Sequence, residues 1–348
     1  MEKYIIEYED YDDILSLLGH GVPHTKYGNV STIVVELTTE EYEALVGAGI
    51  QIHPNYEIKL CSTPSALPGV TSYPTLPPYI NTYLNITNAH AAGFDGRGVK
   101  ISLPDSGCNP SGSNVCRDVV LQDYTGLGTG DDINHGGKAC VIMNQRYGIN
   151  SGLDIRCGIA YGATIYSKRV IEGGLSAMIA ALSDTITEGL HIVNMSFDVG
   201  GGLTNAVNAC MAAGIICVAA SGNSVGGIMA HPANIPGVIA VNVVDVNSPN
   251  VPIGTHITSD GDVGLVGIMF NGGSYEVFNG GTSQAAFMVS ALLAIYKQKY
   301  PSLDTQGAMN LLRRRALKMD GFVYDHTCNT KWATLNYQTG AGFIAPVN

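Results

Sequence analysis

Residues 1–60 alternate between short apolar strands and short helices. Residues 4–8 read as a strand, Tyr11–Leu18 as a helix, residues 24–30 as a further strand, Thr32–Leu37 as an apolar strand and residues 39–46 as a second helix. Thr38 or Thr39 caps that helix, with glutamates in its first turn. Residues 50–60 return as an extended segment. The order βαββαβ is that of a ferredoxin-like split βαβ unit, a small α+β domain.

Further along, the pattern changes. Leu175, Met178, Ile179, Leu182 and Ile186 recur at helical spacing ahead of an apolar strand at 192–196. Residues 207–213 form another helix, stopped by Gly214 before a strand over 215–221, and residues 99–103 read as a short buried strand. Helix followed by buried strand, repeated, predicts parallel crossovers and hence a doubly wound, mainly parallel α/β sheet. Ligands of such sheets bind beyond the carboxyl ends of the strands. Between the two patterns, residues 61–78 carry Pro64, Pro68, Pro74, Pro77 and Pro78, which forbid a helix and make an extended connector open to proteolysis. The expected organisation is a small domain over 1–60, a linker over 61–78 and a larger domain over 79–348.

Chemistry concentrates where strands end and helices begin. Asp105 follows a strand in Pro104-Asp105-Ser106-Gly107, His135 opens a helix in Asn134-His135-Gly136-Gly137, Asn223 follows Gly222 after a strand, and Ser283 lies in Gly280-Gly281-Thr282-Ser283-Gln284-Ala285-Ala286. By itself the Thr-Ser pair is an ordinary helix cap. Together the four side chains supply a nucleophile, a base, its orienter and an oxyanion donor. A serine hydroxyl attacks a carbonyl only when an imidazole takes its proton, and a carboxylate then fixes that imidazole. The Ser283 N–H and the Asn223 side chain would meet the charge on the tetrahedral intermediate.

These segments, in this order, resemble the subtilisin-like serine proteases. The likeness extends to residues 88–99, to Ile192-Val193-Asn194-Met195-Ser196, to residues 231–241 and to Gly340-Ala341-Gly342-Phe343-Ile344. It implies a subtilisin-like fold, a serine endopeptidase with Asp105, His135 and Ser283 as its triad and Asn223 in its oxyanion hole, and protein or peptide substrates. Ser196, Phe197, Asp198, Ala220, Ser221 and Gly222 would line the substrate cleft. Asp198, standing where the family has a small residue, would draw a substrate Lys or Arg, unless it turns outward and leaves Ala220, Ser221 and Ala230 as a mainly apolar pocket. The N-terminal domain resembles the family's inhibitor propeptide, whose tail would lie in the cleft; the expected zymogen cuts itself within residues 60–63. Two departures stand out: Gly137-Lys138 replaces the family's Thr-His after His135, and Phe287-Met288 replaces Pro-His after the serine. A catalytically silent relative, such as a structural or binding protein of a virion, is the alternative these departures leave.

Composition narrows the rest. Net charge is −11 from 18 basic and 29 acidic residues, and the largest basic cluster, Arg313-Arg314-Arg315, falls late in a helix predicted over 303–318, where cations complement the dipole. Neither a nucleic-acid partner nor a membrane partner is expected. No secretory signal is read at Met1-Glu2-Lys3, so the expected location is cytoplasmic, or virion-associated for a virus-encoded protein. The eight cysteines show no zinc-ribbon spacing. Cys140, Cys210 and Cys217 read as buried thiols, whereas Cys108 and Cys116 could pair or, with His135, bind metal. No cofactor is required; calcium stays open and unassigned, with Asp123, Asp131, Asp132 and Asp154 as scattered oxygen donors and Asn114 near the place of a ligand in relatives. Gly126-Leu127-Gly128-Thr129-Gly130 offers a glycine-rich loop for a nucleotide but lacks the Lys-Ser/Thr of a P-loop.

Overall fold

The computed structural model describes residues 1–19, 21–61, 86–109, 116, 118–147, 155–156, 158–223, 229–244, 263–266, 269–271, 274–276, 281–317 and 343–344. In the N-terminal part, strands Glu2–Glu7, His24–Tyr27, Thr32–Leu37 and Ile52–Pro54 pair antiparallel, in the spatial order 24–27, 32–37, 2–7, 52–54. Helices Tyr11–Leu18 and Thr39–Gly47 connect them in the split βαβ manner. Asp10 caps the first helix through the Asp12 N–H, and Thr38 forms a reciprocal capping box with Glu41 on the second. The strand expected over 24–30 is shorter than predicted. Because Tyr27 pairs with Thr32, the chain must reverse between them, and it does so through a 3₁₀ turn at Gly28–Val30 followed by Ser31 in the left-handed region.

This small sheet is covered on both faces. Ile5 and Ile6 are adjacent and both fully buried, and strand alternation sends them opposite ways. Ile6 joins Ile14, Leu18 and Leu45 in the small domain's own core. Ile5 joins the cluster formed by helices Gly174–Thr187 and Thr204–Ala212 of the large domain. Side-chain bonds fix the same contact: Asn29 exchanges two hydrogen bonds with Ser183, and Asn205 donates to the carbonyls of Tyr8 and Ser31.

The extended segment expected over 50–60 divides. Ile52–Pro54 completes the small sheet, whereas Lys59–Leu60 crosses to the large domain and pairs antiparallel with Phe197–Asp198.

The large domain is built on one sheet in the order 316–317, 343–344, 263–266, 239–244, 216–220, 192–195, 100–105, 164–169, 119–123. All pairs are parallel except that between Ala316–Leu317 and Phe343–Ile344 at one edge. Helices His135–Asn144 and Thr282–Lys299 pack with one face of the central strands, and helices Gly174–Thr187 and Thr204–Ala212 with the other, giving two separate apolar clusters. Double coverage explains why Ile192–Met195 and Ile216–Ala220 are buried at every position and read as apolar runs, broken only by Asn194. The sheet is doubly wound, as predicted. The helix expected over 303–318 spans Thr305–Arg315, with the Asp304 side chain accepting from the Gly307 N–H at its start and Ala316 already in a strand.

Candidate active site

Parallel strands end at a common edge, and the chemical side chains collect there. Asp105 is the last residue of Lys100–Asp105, Ser196 directly follows Ile192–Met195, and Asn223 lies just beyond Ile216–Ala220. His135 is the first residue of one helix and Ser283 the second residue of another. His135 Nδ1 lies 2.7 and 2.9 Å from the two oxygens of Asp105, both residues being buried. That contact fixes the ring so that Nε2 is the free nitrogen. Among the described residues Nε2 has no hydrogen-bond partner, and the ring of Phe287 packs edge-on against the imidazole at 5.2 Å. Ser283 Oγ donates to the Ser196 carbonyl at 3.1 Å.

The fourth predicted residue already holds a carbonyl. Asn223 Nδ2 donates to the Cys61 carbonyl oxygen, and the Cys61 N–H donates to the Ser196 carbonyl at 3.2 Å. Cys61 therefore extends the antiparallel pairing of Lys59–Leu60 by one residue, deep into the cleft. Gly281 permits this approach, since a Cβ there would stand 2.3 Å from the Cys61 oxygen. An extended peptide is thus clamped by main-chain bonds, with one carbonyl presented to an amide donor beside a serine and a carboxylate-held histidine.

Comparison with known proteins supplies the family. A family model described as the subtilase family matches residues 96–342. The chain is a subtilase. Alkaline elastase YaB of Bacillus sp. (strain YaB) is 29% identical over 266 residues, 72% of this chain and 67% of that protein. Subtilisin Savinase of Lederbergia lenta is 28% identical over 250 residues, 66% of this chain and 88% of that protein. The structure of fervidolysin from Fervidobacterium pennivorans, a keratinolytic enzyme related to subtilisin, matches with a TM-score of 0.73 at 18% identity, over 99% of this chain and 60% of its own. That last likeness is one of fold. The family match and the sequence relatives make the chain a subtilisin-like serine peptidase.

Several residues that support the subtilase site escaped sequence reading. Thr282 gives both its N–H and its hydroxyl to Asn223 Oδ1, each at 3.0 Å, so that Nδ2 is left facing the cleft. Asn194 donates to Ser196 Oγ at 2.7 Å and accepts from Ser290, a buried polar link between the central strand and the serine helix. An asparagine inside the apolar run Ile192–Met195 was the available signal.

Asp131 is the third. Its carboxylate accepts from the N–H groups of Ile133, Asn134 and Gly137 and from Ser106 Oγ, whose N–H in turn bonds Asp105. It caps the histidine helix in place of Asn134, which lies in the left-handed region and makes no side-chain cap. Burial holds its carboxyl above the usual carboxylate range, against those hydrogen bonds. Asp131→Ala leaves three N–H groups seeking water, and an unfolding free energy lower by about 2–3 kcal/mol is expected in urea titration. The exposed Asp123→Ala is expected to fall by clearly less.

The remaining sequence expectations resolve individually. Ser196, Phe197 and Asp198 bind the docked strand through main-chain pairing, and Ala220 and Ser221 are fully buried. Gly222 N–H donates to Thr282 Oγ1 at 3.2 Å. The Asp198 carboxylate, expected either at the pocket mouth or turned outward, accepts the His231 N–H at 3.1 Å. Cys108 and Cys116 do not pair with each other; both are buried free thiols in hydrogen-bond contact with Cys140. His135 Nδ1 is held by Asp105, and no group of three or more potential metal ligands converges among the described residues. Of the scattered acids, Asp123 accepts from Thr125 and Gly128, Asp131 from the helix start, and Asp132 pairs with Arg169 at 3.0 Å. Asp154 and Asn114 lie outside the described residues. The glycine-rich loop after Asp123 presents no anion cradle, because the Asp123 carboxylate itself takes the Gly128 N–H.

Proposed function

We propose that this subtilase is a self-processing serine endopeptidase whose first substrate is its own Cys61–Ser62 bond. The observation that carries the reading is the Cys61 carbonyl, held by Asn223 Nδ2 while its N–H bonds Ser196. Ser283 Oγ leaves the Ser196 carbonyl, turns to His135 Nε2 and attacks the Cys61 carbon as the imidazole takes its proton. Asp105 stabilises the resulting imidazolium. The oxyanion is met by Asn223 Nδ2, and collapse of the tetrahedral intermediate passes the proton from Nε2 to the departing Ser62 amine. Water, activated by the same histidine, then releases Cys61 as a new carboxyl terminus and restores Ser283.

After the cut, residues 1–61 stay bound as an inhibitor. The contacts at Asn29, Asn55 and Asn205 do not depend on the broken bond, and Lys59–Leu60 continues to fill the cleft. Other substrates are protein or peptide segments that add as a strand alongside Phe197–Asp198. One observation favours the silent alternative, namely that the Ser283 hydroxyl donates to the Ser196 carbonyl rather than to His135 Nε2. A serine-directed fluorophosphonate separates the two, applied after mild proteolysis has removed residues 1–61. Labelling at Ser283 is the expected result; a cleared cleft that never labels establishes the silent scaffold.

A further inference from the structure

Resting on that reading, we infer that the Asp198 carboxylate is a bar across the pocket for the residue before the cut, and that it restricts this subtilase to substrates with a small, uncharged side chain there. The side chain seated in that position is Cys61, whose carbonyl marks the reacting place. It is 3% exposed. Main-chain pairing runs segment 196–198 alongside Cys61, and because Asp198 faces Lys59 it lies on the same face of the pairing as Cys61, whose carbonyl is held by Asn223 at the end of segment 220–222. Both segments are tied to the turn at Ala230-His231 by three hydrogen bonds: Val199 N–H to the His231 carbonyl at 3.1 Å, Ala230 N–H to the Ser221 carbonyl at 3.0 Å, and His231 N–H to Asp198 Oδ1 at 3.1 Å. Two of the three are main-chain bonds; the third is made by the Asp198 side chain.

What lies beyond the tie gives it consequence. A groove of about 650 Å³ lies beside Asp198, lined by Glu57 and Lys59 of the docked segment together with Asp198, Val199, Ala230 and His231, and Cys61 does not border it. Room for a large side chain therefore exists beside Asp198, on the side that position 61 does not reach. Ala230 narrows the same end, since a Cβ on Gly222 would meet the Ala230 methyl at 3.2 Å. The carboxylate's commitment to a backbone N–H also distinguishes this role from that of a receptor for Lys or Arg. A cation would have to displace a hydrogen bond that holds the wall together.

The rest of the docked strand shows what else is read. Ile58 is buried in the cluster containing Leu175, Met178, Phe197 and Leu203, while Lys59 between them is exposed.

The test uses the full chain in a Ser283→Ala background, so that its readout does not depend on catalysis. Residue 61 is varied, and amide hydrogen exchange is followed at Leu60, Cys61 and Phe197, with the Lys100–Asp105 strand as the control for global folding. Cys61→Ala is expected to keep the protection of the docked strand. Cys61→Phe and Cys61→Lys are expected to lose it by about 10- to 100-fold, the range for forcing extra volume into a filled site. Adding Asp198→Ala is expected to restore protection to Cys61→Phe. Equal protection of Cys61→Phe without the second change would overturn the inference, and so would Cys61→Lys docking as well as the parent, which would make Asp198 a charge receptor. A failure of Ser283 to react with fluorophosphonate would sink the enzymatic reading while leaving this measurement intact.

Discussion

Refolded from denaturant, the parent chain is expected to convert into two fragments ending and beginning at Cys61 and Ser62, while Ser283→Ala remains a single uncut chain. The expectation follows from the geometry at Cys61, whose carbonyl is already gripped by Asn223 and whose N–H is already paired with Ser196. With attacking group and carbonyl held in one molecule, the step needs no diffusional encounter. Removing the Ser283 hydroxyl removes the nucleophile while leaving the docked strand in place. Intact-mass measurement over the refolding time course reads both fragments directly. A pure Ser283→Ala chain clipped at the same bond would show that another protease, or another residue, makes the cut.

The second large effect belongs to Asn223. Asn223→Ala is expected to slow self-cleavage by roughly two to three orders of magnitude, the usual cost of deleting one side-chain oxyanion donor. Part of that loss has a structural origin here, because Oδ1 also receives the N–H and hydroxyl of Thr282 at the start of the serine helix. Thr282→Val separates the contributions. It keeps the Asn223 amide but withdraws one of its two anchors and the partner of the Gly222 N–H, so a smaller slowing is expected. The first-order rate of fragment formation measures both variants, with unfolding in urea as the check on stability. An Asn223→Ala chain that processes at the parental rate would reduce this residue to a turn former.

The elements, and which polar side chains stand at their ends, were legible in the order of residues. Strand alternation, helix spacing and caps are local properties, and they located Tyr11–Leu18 and Thr32–Leu37 to the residue. Asp105, His135, Asn223 and Ser283 were legible for a related reason: each sits where a buried strand ends or a helix begins, and parallel crossovers bring such ends to one edge. Even the split βαβ order of the small domain followed from the succession of short elements.

What the order of residues did not contain was any relation fixed by pairing across the chain. Residues 50–60 look like one extended segment, but Ile52–Pro54 belongs to the small sheet and Lys59–Leu60 to the cleft, a division set by which edge each half can reach. The supporting roles of Thr282, Asp131 and Asn194 were hidden because a polar side chain declares its partner only when folding has buried both. Asp198 shows the limit most plainly. Its charge left open a basic substrate or an outward turn, and whether a carboxylate faces a ligand or a backbone N–H depends on the turn at His231. Local sequence chose the side chains and the elements that carry them; long-range register and burial decided what each one touches, because those are set by the packing of segments that lie far apart in the chain.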